Sequence, residues 1–132
     1  MIDLEQTPPR VIDHVVVGDA PEGFAISPKG DLALAILLRG SNSDKKAFYY
    51  NKAGAAVALK IDGKKVTRVG PEIELGGLPE GVAFSSDGAY AYVGNYLDSN
   101  ISVLKIEGTQ VTDTGKNLKL PGPPASLRAA PK

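Results

Sequence analysis

Short apolar stretches separated by turn residues run along most of the chain. The longest unbroken apolar run, LALAILL, occupies residues 32–38 and follows the turn-forming pair Lys29-Gly30. Its length and the preceding turn favour a strand covered on both faces over a helix. Other stretches are rich in Val, Ile and Tyr and are bounded by pairs such as Asp87-Gly88, which are typical of hairpin turns. The pattern predicts an all-β fold of short antiparallel strands.

An internal repeat organises these strands. Residues 21–36 read PEGFAISPKGDLALAI and residues 79–94 read PEGVAFSSDGAYAYVG, an offset of 58 positions. Residues 59–75, LKIDGKKVTRVGPEIEL, match residues 104–120, LKIEGTQVTDTGKNLKL, at an offset of 45. The two offsets differ by 13 positions, which places an insertion in the first unit, within residues 39–54. The shorter period is typical of β-propeller blades, which have four strands each.

The repeat therefore predicts β-propeller blades, with two complete four-stranded antiparallel blades and a partial blade at each end. We divide the single domain into the end of a preceding blade (1–18), a blade with the insertion at 39–54 (19–76), a second blade (77–120) and the first strand of a closing blade (121–132).

The second unit shows the four predicted strands of a blade most clearly. They are Gly81–Ser85, Ala89–Asn95, Asn100–Ile106 and a strand within Val111 to Leu120. At the chain ends, alignment with the repeat predicts the end of a third strand at residues 1–4, a fourth strand at Val11–Val17 and a first strand at Ala125–Arg128.

Three segments carry a resemblance to a known family. They are the PEG-x-A-x-S-x-x-G pattern of both units, AYVGNY at 91–96 and SNISVLKI at 99–106. On these residues the chain resembles bacterial YVTN-type β-propeller repeat proteins, which overlap in sequence with the lactonase-like seven-bladed propellers. Tyr92-Val93-Gly94-Asn95 differs by one residue from the family's Tyr-Val-Thr-Asn, and the first unit has Ala35-Ile36-Leu37-Leu38 there. The resemblance implies the fold, because such propellers include enzymes, binding modules and surface proteins.

The small number of blades raises the question of how their faces are covered. Members of the family form closed rings, which leave no exposed edges. Two blades alone would leave large apolar faces in water, and such faces promote association. We therefore expect either a C-terminal fragment of a longer protein or a homo-oligomer that completes a ring. Two copies sharing hybrid blades, or three copies without hybrids, would each give six blades.

Composition narrows the range of partners and locations. The 15 Lys and Arg residues balance 15 Asp and Glu residues, and this balance predicts no binding of nucleic acid. The chain has no cysteine, which excludes disulfides and thiolate metal sites. No apolar run approaches the roughly 18 residues of a membrane span, and residues 1–10 do not have the pattern of a signal peptide. The family resemblance implies a periplasmic or extracellular location.

Ligands of propellers usually lie near the ring axis, on the face where loops enter the first strand and leave the second. Glu22 and Glu80 are equivalent residues that we expect to converge there. Converging carboxylates can bind a divalent cation such as Ca²⁺ or serve as a general acid or base. Alternatively, each glutamate accepts hydrogen bonds from nearby backbone N–H groups, which its recurrence in both units favours. Other residues expected on this face are Asp19, Arg39, Asn95, Tyr96, Asp98 and Arg128.

The insertion at 39–54 is the most individual feature of the chain. It carries Lys45, Lys46, Phe48, Tyr49 and Tyr50. Long loops on rigid scaffolds often carry binding residues, and aromatic rings beside lysines can stack on a sugar or a base or contact a protein. Alternatively, the loop covers a blade edge, or it extends a hairpin with Phe48 and Tyr50 packed inward.

These observations favour a non-catalytic module that binds or scaffolds a protein or carbohydrate partner in the bacterial envelope. One alternative is a fragment of a lactonase-like hydrolase, with Glu22 and Glu80 activating water or holding a metal at the propeller axis. Another is a structural surface-layer repeat with no small ligand. The single histidine, His14, lies in an outer segment, so we expect a surface residue rather than a member of a catalytic triad.

Overall fold

The computed structural model describes residues 1–129, which form ten β-strands. Residues 130–132, at the end of the predicted closing segment 121–132, lie outside the described part of the chain. Residues 1–129 contain no helix that is long and apolar enough to cross a membrane. The strands are β1 (Ile2–Asp3), β2 (Arg10–Val11), β3 (Pro21–Ile26), β4 (Leu32–Leu37), β5 (Ala55–Asp62), β6 (Lys65–Glu74), β7 (Pro79–Phe84), β8 (Tyr90–Asn95), β9 (Asn100–Glu107) and β10 (Gln110–Lys119).

Eight of these strands form two antiparallel four-stranded sheets. The first blade has the strand order β3-β4-β5-β6 and the second has β7-β8-β9-β10, so each sheet is a simple meander. This arrangement confirms the predicted fold class. Each strand predicted in the second unit overlaps an observed strand, and no end differs by more than two residues.

The first hairpin turn has the same pair of hydrogen bonds in both blades. Ser27 N donates to Leu32 O at 2.8 Å, and Leu32 N donates to Ser27 Oγ at 3.2 Å. In the second blade, Ser85 N donates to Tyr90 O at 2.9 Å, and Tyr90 N donates to Ser85 Oγ at 3.0 Å. The serine of the repeated segment therefore closes the same turn twice, which explains why this residue recurs in both units.

The two blades pack face to face through a shared apolar core. The first blade contributes Leu32, Leu34, Ile36, Ala56, Ala58, Ile73 and Leu75, and the second contributes Val82, Phe84, Ala91, Val93 and Leu104. Side chains alternate between the faces of a strand, so the intervening residues of β4 and β5 form a separate cluster on the outer face of the first blade. The run at 32–38 is buried throughout because both of its faces are covered, as its composition predicts.

Glycines at equivalent positions allow the innermost strands to approach one another. A Cβ atom at Gly23 in β3 would lie 3.3 Å from Glu80 O in β7 and would overlap Ile36. A Cβ atom at Gly81 in β7 would overlap the backbone nitrogen of Leu127. The segment 122–129 therefore lies on β7 much as β7 lies on β3, and the repeat continues past the second blade.

The segment 122–129 nevertheless does not form the predicted strand at Ala125–Arg128. Pro123 and Pro124 have no backbone N–H group to donate to a ladder. Among residues 1–129, no further strand lies beside the segment to pair with it. The segment thus occupies the place of a first strand without its hydrogen bonds.

The N-terminal residues also form less strand than the repeat predicts. Ile2–Asp3 pairs with Arg10–Val11, Met1 forms backbone hydrogen bonds with Ile12 and Asp13, and the pairing ends there. Residues 12–17 instead run along the outer face of the first blade, where Val15 and Val17 pack against its apolar cluster.

Two cations of the first blade hold this N-terminal segment. Lys64 Nζ donates to Asp3 Oδ2 at 3.0 Å and also to Glu5 Oε2. Arg68 Nη1 donates to Val17 O at 3.0 Å. Hydrogen bonds from Gln6 and then Lys64 lower the pKa of the Asp3 carboxyl group, and hydrogen bonds to Glu5 and Asp3 raise the pKa of Lys64.

The linker between the blades, residues 75–78, is held by a buried amide of the second blade. Asn95 is fully buried, and its Oδ1 accepts a hydrogen bond from Gly76 N at 3.0 Å. Its Nδ2 donates to Asn100 Oδ1 at 2.7 Å and to Ser102 Oγ at 2.8 Å. Because both polar atoms of the amide are used, this side chain fixes the linker relative to β8 and β9.

We expect the substitution Asn95→Ala to destabilise the protein by about 2–4 kcal/mol, because it leaves several polar groups near the blade interface without a partner. Urea unfolding followed by circular dichroism measures this loss. The exposed Asn42 provides the control, since Asn42→Ala should change stability by no more than about 0.5 kcal/mol. A similar small effect for both variants would show that the network does not hold the linker.

The ion pairs of Lys64 predict a pH window in which the N-terminal segment is docked. The pKa of Asp3 is lowered from 3.8, so its contribution is present above that pH and is lost as the pH falls through the lowered value. The pKa of Lys64 is raised from 10.5, so its contribution is present below that pH and is lost as the pH rises through the raised value. Within the window, amides of residues 1–12 should be protected from hydrogen exchange.

Hydrogen exchange read by mass spectrometry, corrected for intrinsic rates at each pH, tests this window. Lys64→Met should lower the protection of residues 1–12 at neutral pH. Lys105→Met is the matched control, because Lys105 lies in the second blade and a similar pair with Glu107 raises its pKa. Protection that survives in Lys64→Met would contradict the assignment of Lys64 as the anchor.

Candidate functional site

Three connections meet at one end of the two blades. They are the insertion loop 38–54 between β4 and β5, the linker 75–78 between the blades, and the loop 96–99 between β8 and β9. Leu78 N donates to Ser41 Oγ at 3.0 Å, which ties the insertion loop to the linker. Tyr96 N donates to Leu78 O at 3.0 Å, which ties the linker to the third connection. We call this continuous surface the loop face.

Asp98, one of the residues expected to face a ligand, supports the linker instead. Its Oδ2 atom accepts a hydrogen bond from Gly77 N at 2.7 Å. A Cβ atom at Gly77 would lie 3.2 Å from both Lys52 O and Leu97 Cδ1, so the insertion loop and the loop 96–99 approach each other across the linker. The loop face is thus built on hydrogen-bonded backbone.

The insertion loop folds into consecutive turns. Ala47 N donates to Asp44 O at 2.9 Å, and Tyr50 N donates to Ala47 O at 3.0 Å. At the base of the loop, Asn51 Nδ2 donates to Arg39 O at 2.8 Å. These bonds join residues within the loop itself, so its shape depends little on any partner.

The tip of the insertion loop presents two aromatic rings to solvent. Phe48 is 99% exposed and Tyr49 is 54% exposed. Their ring centroids are 5.2 Å apart and the ring planes meet at 88°, an edge-to-face contact. The alternative expectation that Phe48 packs inward is wrong, whereas Tyr50 is half-buried.

The cations of the insertion loop fall into two kinds. Arg39 Nε lies 3.7 Å from Glu72 Oε2, and that carboxylate also contacts Arg68 at 3.3 Å. Lys45 and Lys46 are exposed, and within residues 1–129 neither forms an ion pair. The positive charges of Lys45 and Lys46 therefore lie close in sequence to Phe48, beside the carboxylate of Asp44.

Asn95 and Tyr96 are neighbours in the chain but differ in access to solvent. Asn95 is fully buried with its amide committed to the linker, so it supports the loop face from beneath. Tyr96 is 38% exposed, and the adjacent Leu97 is 57% exposed. Leu97 was not expected at the site, and the structure adds it to the exposed apolar surface there.

Glu22 and Glu80 lie on the neighbouring innermost strands β3 and β7, as the repeat predicts. Glu22 is exposed and Glu80 is half-buried. The expected hydrogen bonds to backbone N–H groups are not formed among residues 1–129. The same residues contain no group of three or more His, Cys, Asp or Glu placed to hold a metal ion. His14, Asp19 and Arg128 are exposed.

A polar cleft of about 230 Å³ lies at the opposite end of the blades, between the first hairpin turns of each. Its lining includes Lys29, Asp31 and Asp87. A hydrogen bond from Ser85, followed by one from the backbone of Ala89, lowers the pKa of the Asp87 carboxyl group. Asp31 likewise accepts a hydrogen bond from Ser27 Oγ at 2.8 Å, so each of these two carboxylates acts within its own hairpin.

No protein-family model matches the chain, and no curated protein matches it. Solved structures do match. A candidate 6-phosphogluconolactonase from Bacteroides fragilis is similar with a TM-score of 0.64 at 20% identity, over 80% of this chain and 27% of its own. One from Bacteroides uniformis has a TM-score of 0.64 at 18% identity, over 83% of this chain and 30% of its own.

A hydrazine synthase from Kuenenia stuttgartiensis is also similar, with a TM-score of 0.60 at 23% identity over 88% of this chain and 28% of its own. The chain thus spans less than a third of the length of each of these proteins. At such identities the likeness concerns the fold alone. The chain has the fold of β-propeller blades and is similar in structure to lactonase-like propellers.

Proposed function

We propose that the chain is a non-catalytic β-propeller module, of the YVTN-repeat type, that binds an anionic carbohydrate of the bacterial envelope through its insertion loop. The observation that carries this proposal is the nearly complete exposure of Phe48 at the tip of a hydrogen-bonded loop. Covering that ring with a partner would remove apolar surface from water, which is favourable.

The loop is prepared for binding by its own hydrogen bonds. The edge-to-face contact with Tyr49 orients the Phe48 ring, and the bond from Leu78 to Ser41 holds the loop on the linker. Binding to a preformed loop costs less conformational entropy than binding that must first order the loop. This favours a binding role over a loop that only covers a blade edge.

The chemistry of the tip fits an acidic sugar polymer. An open aromatic face can stack on the apolar face of a sugar ring, and the ammonium groups of Lys45 and Lys46 can pair with its carboxylate or sulfate groups. A stable protein interface buries about 800 Å² on each partner, which is more than a single loop tip offers. Carbohydrate is therefore the preferred partner, within an envelope location that rests on the family resemblance.

Isothermal titration with alginate, an anionic polysaccharide, and dextran, a neutral one, tests the proposal. We expect the protein to bind alginate and Phe48→Ala to weaken binding about tenfold, or about 1.4 kcal/mol. The double variant Lys45→Ala/Lys46→Ala should also weaken binding and reduce its dependence on salt.

Tyr90→Ala is the matched control, because Tyr90 is a partly exposed aromatic residue on β8, away from the insertion loop. It should bind alginate as the unmodified chain does. Equal binding by Phe48→Ala would contradict the role of the loop. Failure to bind either polysaccharide would overturn the carbohydrate proposal and favour a protein partner.

A second candidate is lactone hydrolysis, which is favoured by the likeness to the two candidate 6-phosphogluconolactonases. In this proposal a carboxylate of Glu22 or Glu80, on adjacent innermost strands, takes a proton from the attacking water as a general base, or the two would hold a Ca²⁺ ion that would lower the pKa of a bound water.

Hydrolysis of 6-phosphogluconolactone, followed in a pH-stat with and without Ca²⁺, tests this second candidate. It predicts a rate above the spontaneous one that falls at least tenfold in Glu22→Gln/Glu80→Gln. Glu107→Gln, at an exposed site of the second blade, should leave the rate unchanged. A rate equal to the spontaneous one would remove hydrolysis from consideration.

A further inference from the structure

The outer face of the first blade carries an open apolar groove. Its volume is about 330 Å³. The floor is formed by β4 and β5, one rim by the N-terminal segment and the other by β3. Its lining is mainly apolar and includes Val15, Val17, Phe24, Ala33, Ala35 and Leu59, beside the charged side chain of Glu22. Phe24 remains 56% exposed at the rim.

The second blade shows what such a face binds. At the repeat offsets of 58 and 45, the equivalents of Phe24, Ala33, Ala35 and Leu59 are Val82, Ala91, Val93 and Leu104. All four equivalents are buried, with exposed fractions of 6%, 0%, 0% and 0%, in the core between the blades. The groove is therefore the equivalent surface of the first blade, where Ala33, Ala35 and Leu59 are buried with Val15 and Val17 packed against them and Phe24 is left exposed at the rim.

The covering surface can be identified in the same way. In the first blade, Leu34, Ala56, Ala58 and Ile73 cover the second blade. Their equivalents in the second blade are Tyr92, Ile101, Val103 and Leu118, on its far face. Tyr92, Ile101 and Val103 are half-buried and Leu118 is 51% exposed. We call this surface the far face.

We infer that the groove of one copy of this chain receives the far face of a second copy, head to tail. The contact would continue the interface that already joins the two blades. One copy cannot make it alone, because its two blades are already joined through their other faces and the groove and far face lie on opposite sides. The segment 122–129, which already lies over Gly81 and Gly94, would enter the groove with the far face.

This interface is heterologous, since the groove and the far face are different surfaces. That property gives a sharp test with two variants. Phe24→Lys places a charge on the groove and leaves the far face intact. Leu118→Lys places a charge on the far face and leaves the groove intact. Both side chains are about half exposed, so each variant should fold, which circular dichroism verifies.

Light scattering behind size exclusion, over a concentration series of the 132-residue chain, measures the assembly. We expect the unmodified chain to reach the mass of two or more copies. Each variant alone should associate at least tenfold more weakly. An equimolar mixture should form a 1:1 dimer, because the intact far face of Phe24→Lys fits the intact groove of Leu118→Lys.

Leu97→Lys is the matched control, because Leu97 is 57% exposed on the loop face and belongs to neither surface. It should associate like the unmodified chain. A monomer at every concentration would overturn the inference. Two other results would also overturn it. One is that the variants associate as the unmodified chain does. The other is that the mixture forms no dimer, because a heterologous contact predicts that the two variants restore association when mixed.

Discussion

The apolar contact between the two blades is the interaction on which the rest of the structure depends. A single four-stranded sheet has two apolar faces and cannot cover either alone. Packing the two sheets together buries Leu34 and Ile36 from one side and Val82, Phe84 and Val93 from the other. Gly23 in β3 permits this close approach of the innermost strands, because a Cβ atom there would lie 3.3 Å from Glu80 O in β7.

That contact also determines where the loops lie. Once the blades are joined, the linker between them passes beneath the insertion loop and the loop 96–99. Asn95 and Asp98 bond to its backbone, and Ser41 bonds to Leu78. The exposed rings of Phe48 and Tyr49 are therefore carried on a base that is fixed by polar groups near the core. A binding role for this loop depends on that base as much as on the rings.

Most of the architecture could be predicted from the sequence, because the repeat shows each strand of a blade twice, once in each unit. The PEG segments and the Asp-Gly turn gave the first two strands, and the LKI segments gave the third. The end segments were harder, because strand formation there depends on partners that alignment cannot supply. Ile2–Asp3 pairs with only two residues, and Pro123 and Pro124 lack donors.

The candidate site was only partly predictable, for a related reason. The insertion marked Phe48 and Tyr49, but the direction of a loop side chain is not periodic, so exposure could not be inferred. Asn95 was expected at the surface, and its partners Gly76, Asn100 and Ser102 bury it instead. Ser41 and Leu97 have no signal in the sequence, because their roles arise from contacts across the linker.

Native-state hydrogen exchange resolved at single residues tests the central claim, that the blades are one packed unit, most directly. The account predicts that amides of β4 and β8 open with the same free energy and the same dependence on denaturant, because each strand contributes to one shared core. Opening of β8 at a much lower free energy than β4 would show that the blades are separate units and would contradict the account.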